Sequence, residues 1–307
     1  MFVVDSHCDS IATVGEQPLV NPYNFSRRFR QLQMTAMFCT HPGDTPQTSW
    51  ERVLHYISVF DRAMEDEADV VRQVRSYADI EEAFESGRHA ALLTVEGGLG
   101  CNTVENLRYV WNAGVRVFGL TWLSNDMAKS NRVLEDGEAD TGLSPLGREM
   151  VEEGNRLGML FDVSHISDKS FFDLLELSEK PLIVTHSNFR TLCSHSRNLT
   201  DEMARAITER DGMIGLNLCT SFVHDEPEKR TVESFFAHLD YCLEHFGEEH
   251  IGFGGDIDGV GGVYPTPINE SSSIHDQLIE YMERHYPTSV IENVAGGNYL
   301  RFLKKYL

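Results

Sequence analysis

The chain has 307 residues, and its 48 acidic residues outnumber 26 basic ones to give a formal charge of −22. This charge excludes the non-specific attraction to nucleic acid and anionic membranes that basic proteins show, so neither is expected as a partner. No apolar run approaches the roughly 20 residues that span a bilayer, and the first residues lack the segments of a secretory signal, so we expect a cytoplasmic protein.

Strand-like and helix-like segments alternate along the chain. Eight apolar segments have the composition of buried strands: residues 2–7, 32–39, 89–96, 115–122, 159–165, 181–186, 213–218 and 251–256. Six intervening segments have helical patterns, several starting on Ser or Thr and ending on Gly: residues 49–74, 103–114, 144–158, 167–179, 200–212 and 231–247. This order predicts an α/β fold, a (β/α)8 TIM barrel that forms one domain over residues 1–307. An open doubly wound sheet is the second choice, because no GxGxxG motif follows the first strand.

Residues that bind metal ions or charged substrates stand where five of these strands end: His7 and Asp9, Glu96, His165, His186 and Asp256. Side chains alternate along a strand, so His7 and Asp9 point to the same side. In a (β/α)8 barrel the C-terminal strand ends meet in one active site, which brings the set together. Imidazole and carboxylate ligands suit zinc or a similar ion, so the pattern predicts a metallohydrolase.

Two further features concern how such a site works. A carboxylate can bridge two ions, and Glu96 is placed to do so, which favours a pair of metals that activate water and polarise the carbonyl it attacks. Two loops, residues 124–142 and 256–273, are longer than a connection requires. Long loops on the catalytic face commonly carry substrate contacts or form lids.

A series of motifs, in order over nearly the whole chain, resembles the membrane or renal dipeptidase family of zinc peptidases, in the amidohydrolase superfamily. The motifs are DSHCD, TVEGG, LTWLSN, GLSPLGREMVEEGNRLGMLFDVSHIS, THSN, SHSRN, GGDIDG and GGNYLRFL. The resemblance implies two zinc ions per chain and a hydroxide between them that attacks the peptide bond of a dipeptide. It also implies a homodimer.

The resemblance assigns a role to each site residue. His7 and Asp9 would bind one zinc, His165 and His186 the other, and Glu96 would bridge them. Arg197 would pair with the substrate's C-terminal carboxylate, for which the arginine fork is suited. Asp256 would receive the substrate amino group and pass a proton to the leaving amine. Trp122 and Asn125 are further candidates for substrate contact.

The chain departs from the family's pattern at two positions. Trp122 stands where family members have a histidine that contacts the substrate, and Leu99 replaces another histidine. Indole donates one hydrogen bond but cannot become cationic or bind metal. Stabilisation of the oxyanion would then depend more on the metals, or on His195 from a neighbouring loop.

Three functions stay open at this point. The first is a zinc dipeptidase, with an L or a D residue accepted at the C-terminal position of the substrate. The second is a binuclear amidohydrolase that acts on another small amide or a lactone, since related barrels use such a centre on varied substrates. The third, a metal-binding protein without catalysis, is disfavoured by the presence of Asp256 beside a full ligand set.

Overall fold

The computed structural model describes all 307 residues and confirms the (β/α)8 barrel. Its parallel strands are β1 Phe2–Cys8, β2 Arg30–Phe38, β3 Val71–Gln73, β4 His89–Glu96, β5 Val117–Gly119, β6 Leu160–Asp162, β7 Ile183–Val184, β8 Met213–Leu216 and β9 Ile251–Phe253. Strand β2 pairs with β1 on one edge and with β4 on the other, which closes an eight-stranded barrel. All eight predicted strands are present.

Helices cover the outside and the N-terminal end of this barrel. They are α1 Pro46–Asp66, α2 Tyr77–Glu85, α3 Val104–Ala113, α4 Val133–Asp136, α5 Pro145–Leu157, α6 Asp168–Leu177, α7 Asp201–Glu209, α8 Thr220–Val223, α9 Val232–His245, α10 Ile274–His285, α11 Thr288–Glu292 and α12 Asn298–Tyr306. Eight begin after a Ser or Thr whose hydroxyl accepts a backbone N–H three residues on, the kind of start predicted for several of them. None is both long and apolar enough to cross a bilayer.

The prediction of one helix over residues 49–74 is wrong at its C-terminal end. The helix stops at Asp66, and Val71–Gln73 form the ninth strand, β3. Strand β3 pairs with the first half of β4, on the edge that β5 occupies further along. Pairing with a distant strand therefore overrides the local pattern. The sequence patterns also do not predict helices α2, α4, α8 and α10 to α12.

The ligand-bearing strand β1 contains a bulge. Asp5 lies opposite Gln33 on β2, but Cys8 lies opposite Thr35, so three steps on β1 match two on its neighbour. Such an extra residue bends a strand and re-aims its side chains. Asp5 consequently contacts His275 of α10, whereas the next residue on β1 contacts the C-terminal helix α12.

A tyrosine from α12 fills the N-terminal half of the barrel. Tyr299 is fully buried, and its hydroxyl donates to Ser6 Oγ at 2.7 Å. The ring lies where β8 and β9 carry Gly215 and Gly252, because a Cβ at Gly252 would be 2.6 Å from a ring carbon. These glycines let one aromatic ring support the layer of β1 just below the metal-ligand positions.

We predict that Gly252→Ala lowers the free energy of unfolding by about 1–3 kcal/mol, because the added methyl group collides with the Tyr299 ring. Urea denaturation of chelator-treated protein measures this without a contribution from metal binding. In a Tyr299→Leu background the same substitution should cost less, since the ring is gone. An equal loss in both backgrounds would contradict this packing account.

Candidate metal centre and substrate cavity

Three histidines surround one buried carboxylate at the C-terminal end of the barrel. Oε1 of Glu96 lies 2.8 Å from His165 Nε2 and 3.4 Å from His186 Nε2. Its other oxygen, Oε2, lies 3.4 Å from His7 Nε2. The four residues come from four strands or strand ends, so the closed barrel brings the predicted ligands together.

A second group of carboxylates adjoins His7. Asp9 Oδ2 lies 3.6 Å from His7 Nε2, and both residues lie close enough to Asp256 to share an ion with it. Glu96, His165 and His186 form a separate group of the same kind. The two ligand groups meet where His7 contacts Glu96. Two adjacent groups of this kind could hold two neighbouring ions.

Asp256 is held in an unusual backbone conformation. Its φ angle is +54°, a region that residues other than Gly, Asn and Asp rarely adopt. Its N–H donates to His7 O at 3.0 Å, and its Oδ2 accepts from Asn217 Nδ2 at 3.0 Å. Gly259 leaves the space, since a Cβ there would lie 2.3 Å from oxygens of both Asp256 and Asp9. The two carboxylates are thus fixed side by side.

A threonine sets the tautomers of two histidines. Thr185 Oγ1 lies 2.7 Å from Asp162 Oδ2, to which it donates its only proton, because an ionised carboxylate can only accept. The hydroxyl oxygen must then accept from His186 Nδ1 at 2.8 Å and from His7 Nδ1 at 3.3 Å. With Nδ1 of both rings held by this hydroxyl, Nε2 of both imidazoles faces the centre.

The unpartnered atoms at the centre fit metal ions. His7 Nε2 and Asp9 Oδ1 are buried and have no hydrogen-bond partner, which is costly for polar atoms. His165 Nε2 and His186 Nε2 lie 3.0 Å apart, with both nitrogens directed at the same carboxylate oxygen. Imidazole nitrogen with carboxylate oxygen is a donor set that suits zinc and similar divalent ions.

Burial and charge shift the proton affinities of these groups strongly. Burial alone would lower the pKa of His7, but Glu96 and Asp9 raise it well above its ordinary value. Burial, together with the charge of Glu96, raises the pKa of Asp9 to about 8. Burial lowers the pKa of His165 and of His186, so both imidazoles are neutral and able to bind a metal. Burial opposes ionisation of Glu96, but the surrounding imidazoles hold its pKa well below the usual range.

A cavity of about 510 Å³ opens onto the centre, a size in the range of small-molecule sites. Four of the predicted site residues that bear on the metals line it: Asp9, Glu96, His165 and Asp256. Phe38, Trp122 and Phe222 form an apolar part of the wall. The cavity therefore combines a flat apolar surface with charged groups at the metal centre.

Arg197 brings a positive charge to this cavity without a carboxylate partner. Its exposed fraction is 7%, and its guanidinium donates to the carbonyl oxygens of Ser164 and His186. Phe222 packs against it, with the guanidinium carbon 5.2 Å from the ring centroid. Burial lowers the pKa of the Arg197 guanidinium. A buried charge of this kind is stabilised by an anion, and only the cavity side is open to one.

The structure distinguishes the three weaker candidates. Trp122 lines the cavity, with its ring centroid 6.1 Å from that of His165. His195 also lines the cavity, and its Nδ1 accepts from the backbone N–H of Arg197 at 3.2 Å. Asn125 does not line it: its amide donates to Leu120 O at 2.8 Å and accepts from two N–H groups of its own loop. The expected substrate contact of Asn125 is therefore not supported, and the side chain shapes the loop instead.

Several residues that serve the site were not identified from sequence. Thr185 directly precedes the predicted ligand His186. Asp162 is a polar residue at the end of β6, and the same kind of position identified the candidate ligands from sequence. Asn217 has the same position at the end of β8. Arg132 lies in the long loop of residues 124–142 and lines the cavity. Only the fold shows that Thr185, Asp162 and Asn217 contact residues of the centre and that Arg132 reaches the cavity wall.

A (β/α)8 barrel with such a ligand cluster at the C-terminal strand ends has the architecture of the metal-dependent hydrolases. The sequence model of the membrane dipeptidase family, peptidase family M19, matches residues 1–306. The chain belongs to this family, which confirms the resemblance of its motifs.

Two proteins with similar sequences are a dipeptidase and an uncharacterized protein. Dipeptidase tcpJ of Claviceps purpurea is 31% identical over 251 residues, which are 81% of this chain and 58% of that protein. The chain thus spans little more than half the length of that relative. An uncharacterized Klebsiella pneumoniae protein from the pqqA 5′ region is 29% identical over 270 residues, 86% of this chain and 97% of that one.

Solved structures show the same fold. The metallopeptidase called dipeptidase AC superposes with a TM-score of 0.87 at 22% identity, over 100% of this chain and 98% of that one. A Rhodobacter sphaeroides metallopeptidase, liganded with a phosphinate mimic of the dipeptide L-Ala-D-Ala, has a TM-score of 0.86 at 21% identity, over 100% and 99%.

We predict that Thr185→Val weakens metal binding by about 10–100-fold, because it removes the acceptor that fixes the tautomers of His7 and His186. Competition with a chromogenic chelator measures the affinity. Thr35→Val is the matched control, since the Thr35 hydroxyl is buried without a partner. If Thr185→Val binds metal as tightly as the unaltered protein, the tautomer argument is wrong.

Proposed function

We propose that residues 1–307 act as one domain and form a zinc-dependent dipeptidase that hydrolyses free dipeptides. The observation that carries this proposal is the pairing of charges in one cavity. Arg197 offers a buried positive charge, and Asp256 a carboxylate, and both line the cavity that contains the candidate metal ligands. A free dipeptide carries one negative and one positive end, so it matches both groups at once.

The ligand geometry supports a centre for two ions. In the proposal His7 and Asp9 hold one zinc, His165 and His186 hold the other, and Glu96 bridges them, in keeping with its contacts to all three imidazoles. Ions held there would activate a water nucleophile and polarise the scissile carbonyl.

Two side chains would orient the substrate against this centre. Arg197 binds the C-terminal carboxylate through its guanidinium, which two backbone carbonyls hold in place. Asp256 binds the ammonium group; it would also accept the proton that the attacking water releases and pass it to the leaving amine. Its carboxylate is suited to both tasks because Asn217 and its backbone N–H fix it next to Asp9. Such positioning contributes to rate by holding the reacting groups in register.

Trp122 would form the apolar wall beside the ion that His165 and His186 hold. Its ring meets Phe38 edge-on at 4.8 Å between centroids and lies beside His165. A neutral indole cannot supply the charge of an imidazolium to an oxyanion. The oxyanion would therefore depend on the metals for its stabilisation, with His195 the other cavity-lining imidazole.

A substrate panel tests the dipeptidase proposal. The metal content of the protein is measured first, and the loaded protein is then assayed on L,L and L,D dipeptides, their C-terminal amides, and small lactones. We expect free dipeptides to be cleaved with the highest kcat/KM. Two bound metals together with cleavage of a lactone but of no dipeptide would favour the second function, hydrolysis of another amide or a lactone.

We further predict that Arg197→Gln lowers kcat/KM for a free dipeptide by about 100-fold, because it removes a buried charge from the substrate carboxylate. The loss should be much smaller for the dipeptide amide, which lacks that carboxylate. Arg205→Gln, an exposed arginine on α7, is the matched control and should behave as the unaltered protein. An equal loss of kcat/KM for the free dipeptide and for its C-terminal amide would show that Arg197 does not bind the substrate carboxylate.

A further inference from the structure

A second arginine faces the cavity and has no partner. Arg132 directly precedes the short helix α4 and lines the cavity with Trp122. Its Nε is buried without a hydrogen-bond partner, and its guanidinium joins no salt bridge. The guanidinium carbon lies 5.9 Å from the Trp122 ring centroid, so the indole face is its main neighbour.

Among the arginines of the chain, only Arg132 has a buried guanidinium nitrogen without a hydrogen-bond partner. Several other arginines meet carboxylates, as Arg52 meets Asp44 and Arg190 meets Asp168 at 2.9 Å. A buried donor without an acceptor destabilises the folded chain by about 1–3 kcal/mol. No hydrogen bond of the Arg132 side chain within the protein offsets this cost. An acceptor supplied from the cavity would remove this cost.

The nearby acidic residue is already engaged. Glu135 also lines the cavity, three residues beyond Arg132. Its carboxylate accepts from the Ser196 hydroxyl and lies 3.8 Å from His195 Nδ1. Glu135 is thus directed toward the loop that carries Arg197, and it leaves the charge of Arg132 uncompensated.

Arg132 also lies at a distinct distance from the reacting centre. The Trp122 ring centroid lies 6.1 Å from that of His165 and 5.9 Å from the Arg132 guanidinium carbon. Arg132 therefore adjoins the same indole as the candidate metal ligand His165, without contacting the ligands in the structure. Arg197 and Asp256 suffice to bind the two charged ends of a dipeptide. A third charged group on the cavity wall is therefore free to contact a side chain of the substrate.

We propose that Arg132 is a specificity residue that binds an anionic side chain of the substrate. The preferred substrates are then dipeptides that contain aspartate or glutamate at one of their two positions. The guanidinium fork binds a carboxylate through two parallel hydrogen bonds while its plane stays on the indole. This inference rests on the proposed dipeptidase function and narrows its substrate class.

The test compares substrates that differ only in a charge. The metal-loaded protein is assayed on Ala-Glu against Ala-Gln and on Glu-Ala against Gln-Ala, with L and D residues at the C-terminal position. We expect kcat/KM to favour the acidic member of at least one pair by about 10–100-fold, the range of a hydrogen bond to a charged group. Arg132→Gln should abolish that preference, mainly through KM.

Charge reversal separates recognition from a structural role. Arg132→Glu should invert the selectivity, so that Ala-Lys or Lys-Ala becomes better than the glutamate substrate. A variant damaged only in its folding would lose rate on every substrate and gain none. Arg205→Gln should keep the preference of the unaltered protein.

The outcomes distinguish this inference from the function on which it rests. If the glutamate and the glutamine dipeptides are cleaved equally well, or if Arg132→Gln retains a preference for glutamate, the role of Arg132 is disproved and the dipeptidase proposal stands. If the loaded protein cleaves no dipeptide of any charge, both proposals are overturned together.

Discussion

The burial of the Glu96 carboxylate among three imidazoles is the constraint on which the rest of the site depends. An ionised carboxylate taken out of water is costly unless positive charge or hydrogen-bond donors surround it. Here the compensating groups come from β1 and from the ends of β6 and β7, so they assemble only when the barrel closes. The same closure leaves His7 Nε2 and Asp9 Oδ1 without partners. Metal ions held there would supply positive charge to the carboxylates and partners to these two atoms.

Layers of the fold support this centre from below and from the side. The β1 bulge and the Tyr299 ring position the strand that carries His7. Asp5 ties that strand to Gly255, just after the neighbouring strand β9, by accepting a hydrogen bond of 2.8 Å from its backbone N–H. Thr185 and Asp162 orient the imidazoles beside it. Orientation of ligands by such outer groups tunes metal affinity. In the proposed function, the charged groups Arg197 and Asp256 on the cavity wall then select the substrate.

Sequence reasoning succeeded where a strong local pattern carries the information. Apolar segments predicted all eight barrel strands, and the meeting of strand ends in this fold predicted that His7, Glu96 and His165 would converge. Asp9 lies beside His7 as expected, but strand alternation does not place it there, because β1 has a bulge and ends at Cys8. These features are set by each residue's position within its own segment.

It failed where a contact between distant segments decides. β3 forms because β4 offers it an edge, which the helical pattern of residues 49–74 does not reveal. Asn125 stands in a loop that was expected to carry substrate contacts, yet its own backbone uses the amide. Arg132 belongs to the same loop and reaches the cavity. Only the folded loop distinguishes the two.

The most direct test of the account is a metal titration of chelator-treated protein, followed by dipeptide hydrolysis at each zinc equivalent. The account predicts no hydrolysis without metal and a rate that rises until two equivalents are bound per chain, because Glu96 joins two donor groups. Full activity of the metal-free protein would contradict it. So would a rate that reaches its maximum at one equivalent while a second ion fails to bind.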